Sequence, residues 1–327
     1  MIRLVWRTDV HLSDRTPSMR TDDWTKTVLG KLDQVGRVAA KVGAVGVLDG
    51  GDFFHIKSPS RNSHRLIQEV ASLHATYPCP VYANVGNHDC VYGDIEYLDQ
   101  QPLGVLFAAG VFERCYDEHE AHFMEPPTSV ADDGIVVRVV GIPYHGTKYD
   151  MARFDIKKGD EDYLIVMGHV LASHKGGSMF EGEDIVKYAD LAGLDPDLWL
   201  FGHWHKDQGI TDLGNGKQVV NIGSLTRGTL SQDDVERKPA CVVLSCTESG
   251  IKANVVRLRV GEVDDVFDTD AKFRTEARDS TMDHFIEVMR ESLVLDGGKT
   301  VEETVEGADV PDKVRERALL YLEQADV

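Results

Sequence analysis

The 327-residue sequence has little of several features that would place it in a special structural class. It contains only five cysteines and no Cys-x-x-Cys pair, which argues against a disulfide framework and for a reducing compartment. No run of about 18 apolar residues occurs, so no membrane span is expected. The start, Met1 to Trp6, reads as a core strand and does not resemble a signal peptide. We therefore expect a cytoplasmic protein with no membrane association.

Positive charge is also scarce. The chain has 35 Lys and Arg residues against 55 Asp and Glu residues, a net charge of −20. This speaks against a broad non-specific nucleic-acid surface, because neutralising phosphates requires Lys and Arg. The charge is uneven, since residues 261–327 hold 8 basic and 19 acidic residues, a net −11. Acidity therefore weakens a DNA-binding hypothesis without excluding it.

The first half alternates strands and helices. An apolar strand over residues 2–8 precedes an amphipathic helix whose apolar stripe is formed by Trp24, Val28, Leu32, Val35, Ala39 and Val42. A second helix is predicted over 63–76, between apolar runs at 44–48 and 81–85. Strands dominate from residue 135 onward, with Gly214-Asn215-Gly216 as a hairpin turn. The pattern predicts an α/β fold with a second sheet packed on the first.

The character of the chain changes after about residue 260. Apolar spacing predicts helices over 280–293 and from Asp309 onward. We therefore divide the chain into a main domain, 1–260, and an acidic helical C-terminal segment, 261–327. This segment is either a partner-docking element or an appendix that packs on the body.

Polar residues suited to binding metal ions follow strand after strand. Two divalent cations at a phosphoester need carboxylate, carboxamide or imidazole ligands and one carboxylate shared between them. Each cluster alone is weak evidence for a metal site, because a single His at a strand end more often has a structural role. Their joint occurrence, with Gly directly before most of the clusters, predicts a two-metal site. Its candidate ligands are Asp9, His11, Asp52, Asn87, His169, His203 and His205.

These clusters resemble the motif series of the calcineurin-like metallophosphoesterases. The motifs occur in order as Asp9-Val10-His11, Gly51-Asp52, Gly86-Asn87-His88-Asp89, Gly168-His169 and Gly202-His203-Trp204-His205. The resemblance implies a sandwich of two mixed β-sheets flanked by helices, here followed by a short helical C-terminal appendix.

The resemblance also implies roles for single residues. One metal would be held by Asp9, His11, Asp52 and His205, and the other by Asp52, Asn87, His169 and His203. His88 would approach the leaving-group oxygen, and Asp89 would orient His88. Mn²⁺ is the first expectation for both ions, with Mg²⁺, Fe, Co²⁺ and Zn²⁺ as alternatives, because the ligand types suit several metals.

Within the family, the sequence is most similar to the SbcD-type recombination nucleases. The similarity lies in Asp52-Phe53-Phe54-His55, in Ile142-Pro143-Tyr144 and in the step at Gly223-Ser224, after which Arg227 is a candidate phosphate contact. We therefore predict a Mn²⁺-dependent DNA exo/endonuclease subunit, a homodimer acting in DNA repair with an SbcC-type ATPase. The alternative is a small-molecule phosphodiesterase or phosphatase of the same fold. A third hypothesis, a scaffold that only binds a partner, does not explain the complete ligand set.

Overall fold

The computed structural model describes residues 1–57, 61–125, 134–174 and 182–269, with a few isolated positions beyond. Residues Met1–Phe267 form one compact unit. The predicted acidic segment, with its helices over 280–293 and from Asp309, lies almost entirely outside the described residues. No described helix is long and apolar enough to cross a membrane.

Fourteen strands occur within the described residues. In chain order they are β1 (Ile2–Arg7), β2 (Gly46–Asp49), β3 (Val81–Ala83), β4 (Glu113–Arg114), β5 (Ala121–Met124), β6 (Val136–Ile142), β7 (Tyr163–His169), β8 (Ala172–Ser173), β9 (Val186–Lys187), β10 (Leu198–Gly202), β11 (Asp207–Gly214), β12 (Lys217–Ile222), β13 (Ala240–Thr247) and β14 (Gly250–Arg257). The helices are α1 (Trp24–Val42), α2 (His64–His74), α3 (Pro102–Ala108), α4 (Tyr188–Leu191), α5 (Gln232–Glu236) and α6 (Val263–Val266). Short 3-10 helices cover Val91–Gly93, Ile95–Gln100 and Met151–Phe154.

Twelve of these strands form two mixed six-stranded sheets, and β8 and β9 form a separate parallel pair. The first sheet has the order β14-β13-β1-β2-β3-β4, and the second has the order β11-β12-β10-β7-β6-β5. Strands β1 to β4 run parallel, as do β6, β7, β10 and β12, whereas the remaining pairs of the two sheets are antiparallel. Parallel strands bring their carboxyl ends to one edge of a sheet, where ligand sites of α/β folds form.

The side chains of β1 point alternately to the two faces of the first sheet, and their contacts show how the sheets and helices pack. Leu4 and Trp6 point into the core between the sheets, where they meet residues of the second sheet such as Ile165. Val5 points to the other face and packs with the helices α1 and α2. Another apolar cluster covers the outer face of the second sheet. The predicted sandwich of two mixed sheets flanked by helices is confirmed.

The helix α1 illustrates why the local predictions succeed. Its apolar stripe is buried along most of its length, from Trp24 to Ala39. The side chain of Asp23 caps the first turn by accepting a hydrogen bond from the Lys26 amide, and Gly43 ends the helix with φ of 63°. The helix α2 likewise lies within the range predicted for it.

Candidate metal centre

The candidate ligands lie just beyond the carboxyl ends of neighbouring strands. Asp9 and His11 follow β1, Asp52 follows β2, and Asn87 follows β3. In the facing sheet His169 is the last residue of β7, and His203 and His205 follow β10. Parallel pairing within each sheet, together with the packing of the two sheets on each other, therefore explains why residues far apart in the sequence meet at one end of the sandwich.

Two groups of ligand atoms form around Asp52. Asp9, His11 and His205 make one group, and Asp52, His169 and His203 make the other; within each group the ligand atoms lie within 4.8 Å of one another. His11 Nε2 lies 3.7 Å from Asp52 Oδ2, and His169 Nε2 lies 3.4 Å from the same oxygen. Asp52 therefore connects the two groups, as a bridging carboxylate would.

The first group is tightly convergent. His11 Nε2 and His205 Nε2 are 2.8 Å apart, and His205 Nε2 lies 3.6 Å from Asp9 Oδ1. Asp9 is fully buried, whereas half of the His205 side chain is exposed. The group therefore opens to solvent on the His205 side.

Two buried acceptor atoms test whether a metal ion fits the second group. Asn87 Oδ1 and His169 Nε2 are buried and have no hydrogen-bond partner in the described part of the chain. The other ring nitrogen of His169, Nδ1, donates to the Gly50 carbonyl oxygen at 2.8 Å, so Nε2 is the nitrogen that can offer a lone pair to a metal ion. Leaving such acceptors unpaired costs about 1–3 kcal/mol each. Coordination of a divalent cation would satisfy both atoms, and the donor set therefore fits the metal.

The electrostatics of the centre are dominated by Asp52. Burial opposes its ionisation, but His169 and His11 outweigh this and hold the pKa of Asp52 well below its usual range. Burial likewise opposes the charged His169 ring, yet the Asp52 carboxylate raises the pKa of His169 to about 9. Burial and the neighbouring His205 lower the pKa of His11 well below its usual value. Asp52 is therefore a buried negative charge between the two ligand groups.

Backbone strain is concentrated in the same residues. Among the residues that the structure describes, six non-glycine residues have positive φ, and four of them are candidate ligands. These are Asp9 (51°), His11 (50°), Asp52 (53°) and His203 (85°). Such a conformation costs on the order of 1–3 kcal/mol per residue and is typical of functional sites.

A glycine makes room for the bridging carboxylate. A Cβ placed on Gly86 would lie 2.7 Å from Asp52 Cγ and closer still to Asp52 Oδ1. The next residues complete the contact, because the His88 amide donates to Asp52 Oδ1 at 2.6 Å. Asn87 therefore lies on a loop that is packed directly against Asp52.

His88 lies beside the first group and is held by His55. His88 Nδ1 donates to the His55 carbonyl oxygen at 2.7 Å, and the two rings stack with centroids 5.1 Å apart. The His11 ring also contacts His88 edge-on, at 4.8 Å between centroids. His88 Nε2 is therefore the nitrogen left for proton transfer.

Asp89 has other partners than those expected from the resemblance. Its carboxylate accepts hydrogen bonds from the amides of Asp52, Phe53, Phe54 and Gly86 at 2.7–3.2 Å. Burial and the Asp52 carboxylate raise the pKa of Asp89 to about 8, against the effect of these donors. Asp89 thus ties the β2 loop to the β3 loop, and the His55 carbonyl holds the His88 ring; a role of Asp89 in orienting His88 stays a prediction.

Arg227, which the sequence predicts as a phosphate contact, is bonded within the fold. It is 4% exposed, and its guanidinium donates to the carbonyl oxygens of Val235 at 3.4 Å and Gly261 at 2.7 Å. It also lies over the Phe267 ring. Through these bonds the buried guanidinium connects the backbone at Val235 and at Gly261 with the segment of Arg227 itself.

Three further residues of the site region were not found from the sequence. Glu183 bonds the His203 ring, and the buried pair Arg7–Asp49 lies beneath the first ligand loops, with Arg7 Nε 2.6 Å from Asp49 Oδ2. Asp49 Oδ1 in turn accepts from the Gly51 amide at 3.2 Å, next to Asp52. The sequence offered one indication of these residues, the segment Asp49-Gly50-Gly51-Asp52, and that pattern is equally typical of a simple turn.

A cavity of about 930 Å³ adjoins the first ligand group. His11, His55 and His205 form its inner wall, and Trp24, Ile56, Arg15, Arg61, Thr226 and Asp234 are among its other lining residues. The cavity therefore offers apolar surface together with two arginines beside the candidate metal ligands.

Comparison with known proteins bears on this arrangement. A family model described as calcineurin-like phosphoesterase matches residues 2–207, which include every candidate ligand. No curated protein is significantly similar to the sequence. Two solved structures resemble this chain over most of its length. TT1561 of Thermus thermophilus has a TM-score of 0.45 and 14% identity over 78% of this chain and 99% of its own. A dimetal phosphatase from Danio rerio has a TM-score of 0.50 and 11% identity over 79% and 96%.

Proposed function

This chain belongs to the calcineurin-like phosphoesterase family, and we propose that it hydrolyses phosphoester bonds with the help of two divalent metal ions. The observation that carries the proposal is the pair of ligand groups that meet at Asp52. The unpaired acceptors Asn87 Oδ1 and His169 Nε2 support it independently.

The proposed ligands divide between two ions. Asp9, His11, Asp52 and His205 would hold the first ion. Asp52, Asn87, His169 and His203 would hold the second. We propose Mn²⁺ as the resident metal, because carboxylate, carboxamide and imidazole together suit a divalent transition metal; Fe, Co²⁺ and Zn²⁺ fit the same donors.

The side chains around the metals have separate tasks. Bound ions would supply Lewis acidity toward the phosphoryl oxygens and lower the pKa of water. His88, held through Nδ1 by the His55 carbonyl, would donate a proton from Nε2 to the leaving oxygen. Asp89 would keep the loops of Asp52 and Asn87 in register through its bonds to the Asp52 and Gly86 amides.

The cavity suggests the size of the substrate. Its volume of about 930 Å³ lies at the upper end of the range for small-molecule sites, about 300–1,000 Å³. Its wall combines an aromatic residue, Trp24, with two arginines, Arg15 and Arg61. We therefore propose a phosphodiester or phosphomonoester of about nucleotide size as the substrate.

A DNA nuclease of SbcD type is the second candidate. One observation favours it: His55, which carries part of the resemblance to that branch, lies in the site and stacks on His88. Phe53 and Phe54 of the same segment are buried in the core and so fix where His55 emerges. This candidate keeps DNA as substrate, an SbcC-type ATPase as partner and a homodimer as proposals. The net charge of −20 favours the small substrate instead.

The test compares substrates on one preparation of the full-length protein. Chromogenic phosphodiesters, nucleotides, cyclic nucleotides and end-labelled DNA would be incubated with Mn²⁺ or with EDTA. Replacing His88→Ala should lower kcat by about 10²–10⁴-fold, because it removes the proton donor. The matched control is His122→Ala, since His122 is an exposed histidine on β5.

Each result has a definite meaning. Metal-dependent hydrolysis of small esters with intact DNA supports the first substrate proposal. Metal-dependent DNA cleavage that is lost in His88→Ala supports the nuclease and justifies a search for an ATPase partner. No metal-dependent hydrolysis of any of these substrates would refute the proposed activity.

A further inference from the structure

Glu183 is a carboxylate that contacts a candidate metal ligand and is not itself among the candidate ligands. Its Oε1 atom lies 3.0 Å from His203 Nε2, and only 7% of its side chain is exposed. Because a carboxylate accepts hydrogen bonds, this contact requires a proton on Nε2. An ion would then be bound through Nδ1, on the other side of the imidazole ring.

Glu183 is itself held in place by Tyr149. The Tyr149 hydroxyl donates to Glu183 Oε1 at 2.7 Å and accepts from the Leu171 amide at 2.9 Å. Leu171 follows His169 by two residues, so the same hydroxyl also contacts the segment that leaves β7. The next residue, Asp184, accepts from the Tyr149 amide at 3.1 Å. Glu183 and Tyr149 therefore connect the backbone after His169 with the ring of His203.

The contact between Glu183 and the His203 ring affects the nitrogen on the other side of the ring. A charged acceptor on the far nitrogen of an imidazole fixes the tautomer and raises the basicity of the metal-binding nitrogen.

From these contacts we propose that Glu183, presented by Tyr149, is a positioning residue for the second metal ion and acts through His203. The inference rests on the proposed two-metal function. It predicts that Glu183 sets the affinity of one of the two ions and leaves the other largely unaffected, because its bond is to His203 and not to Asp9, His11 or His205.

The experiment measures metal binding without a substrate. Metal-free full-length protein is titrated with Mn²⁺ by calorimetry, and the electron paramagnetic resonance spectrum is recorded at two equivalents. The wild type should bind two ions and show a spin-coupled pair. Glu183→Ala should weaken one ion by about 10–100-fold, the range typical for loss of such a partner, and should show the six-line signal of isolated Mn²⁺.

Two variants separate positioning from a structural effect. Glu183→Gln keeps an oxygen that can accept from His203 Nε2, so it should restore much of the affinity that Glu183→Ala loses. The control is Glu161→Gln: Glu161 is equally buried, with 6% of its side chain exposed, but bonds Arg138 at the opposite end of β7. It should bind two ions as the wild type does.

The failures can be told apart. If the wild type binds neither Mn²⁺ nor, in the same titration, Co²⁺ or Zn²⁺, the two-metal function itself is refuted. If the wild type binds two ions and both Glu183 variants bind them equally well, only the role of Glu183 is refuted. Equal weakening of both ions, with a lower unfolding midpoint of the metal-free protein, would also overturn the proposal in favour of a structural role.

Discussion

Gly86→Ala should disable the metal centre through a single methyl group. The added Cβ would lie 2.7 Å from Asp52 Cγ, whereas an ordinary contact is 3.4–4 Å. The obstacle is the bridging carboxylate and its own backbone, so no flexible side-chain end can move aside. Asp52 or the loop of Gly86 must therefore shift by roughly an ångström, and a displacement of that size costs about 10²-fold in catalytic rate.

The stability of the variant should change less than its activity. Overpacking of this kind costs about 1–3 kcal/mol, which a domain of this size can tolerate. The shift would also stretch the bond from the His88 amide to Asp52 Oδ1, so His88 would move with the loop. We therefore expect a folded protein with weakened Mn²⁺ binding and a much lower kcat.

The assay combines Mn²⁺ calorimetry, hydrolysis of the best substrate and urea unfolding of the metal-free protein. Gly30→Ala is the control, because a Cβ at Gly30 in the middle of α1 meets no atom within 4 Å. That change should raise the free energy of unfolding by about 0.5–1 kcal/mol and leave activity unchanged. If Gly86→Ala binds two ions and keeps its rate, Asp52 does not bridge the metals in the way described.

Two further predictions concern buried arginines. Arg7→Met should lower the free energy of unfolding by about 3–5 kcal/mol, because it leaves the Asp49 carboxylate buried without its partner. Adding Asp49→Asn should recover part of that loss in urea unfolding; no recovery would contradict the ion-pair explanation. Arg227→Met should cost about 1–3 kcal/mol, because the carbonyls of Val235 and Gly261 lose their donor. Its KM should stay unchanged, whereas a raised KM with normal stability would restore the phosphate-contact prediction.

The positions of the candidate ligands could be predicted because they depend on strand periodicity. Apolar runs ending in Asp9, Asp52 and His169 define strands whose carboxyl ends must lie together once the strands pair in parallel. Asp9 and Asp52 belong to the first sheet and His169 to the second, so it is the packing of the two sheets that places Asp52 within a few ångströms of His169, although more than a hundred positions separate them in the sequence. The helix α1 could be predicted equally well, since its buried residues recur with the helical period.

The partners of those ligands could not be predicted in the same way. Asp89 and Arg227 lie in loops, where no periodicity indicates the direction of a side chain, and each bonds backbone groups that sequence patterns do not locate. Glu183 was missed because its bond to His203 joins two loops without regular spacing. Long-range contacts between polar side chains and loop backbone depend on the finished fold.

Strain in the ligand residues bears on whether the site is catalytic or a remnant kept for partner binding. Asp9, His11, Asp52 and His203 all have positive φ, at a cost on the order of 1–3 kcal/mol each. Two sets of buried interactions hold the ligand loops in this conformation and offset its cost. One is the four amide bonds to Asp89, and the other is the Arg7–Asp49 pair, whose carboxylate also accepts from the Gly51 amide. A protein that only bound a partner would gain nothing from forcing its ligand residues into this conformation and leaving His169 Nε2 and Asn87 Oδ1 unpaired. Pre-organised cation ligands account for both features, and so the geometry favours an enzyme over a scaffold.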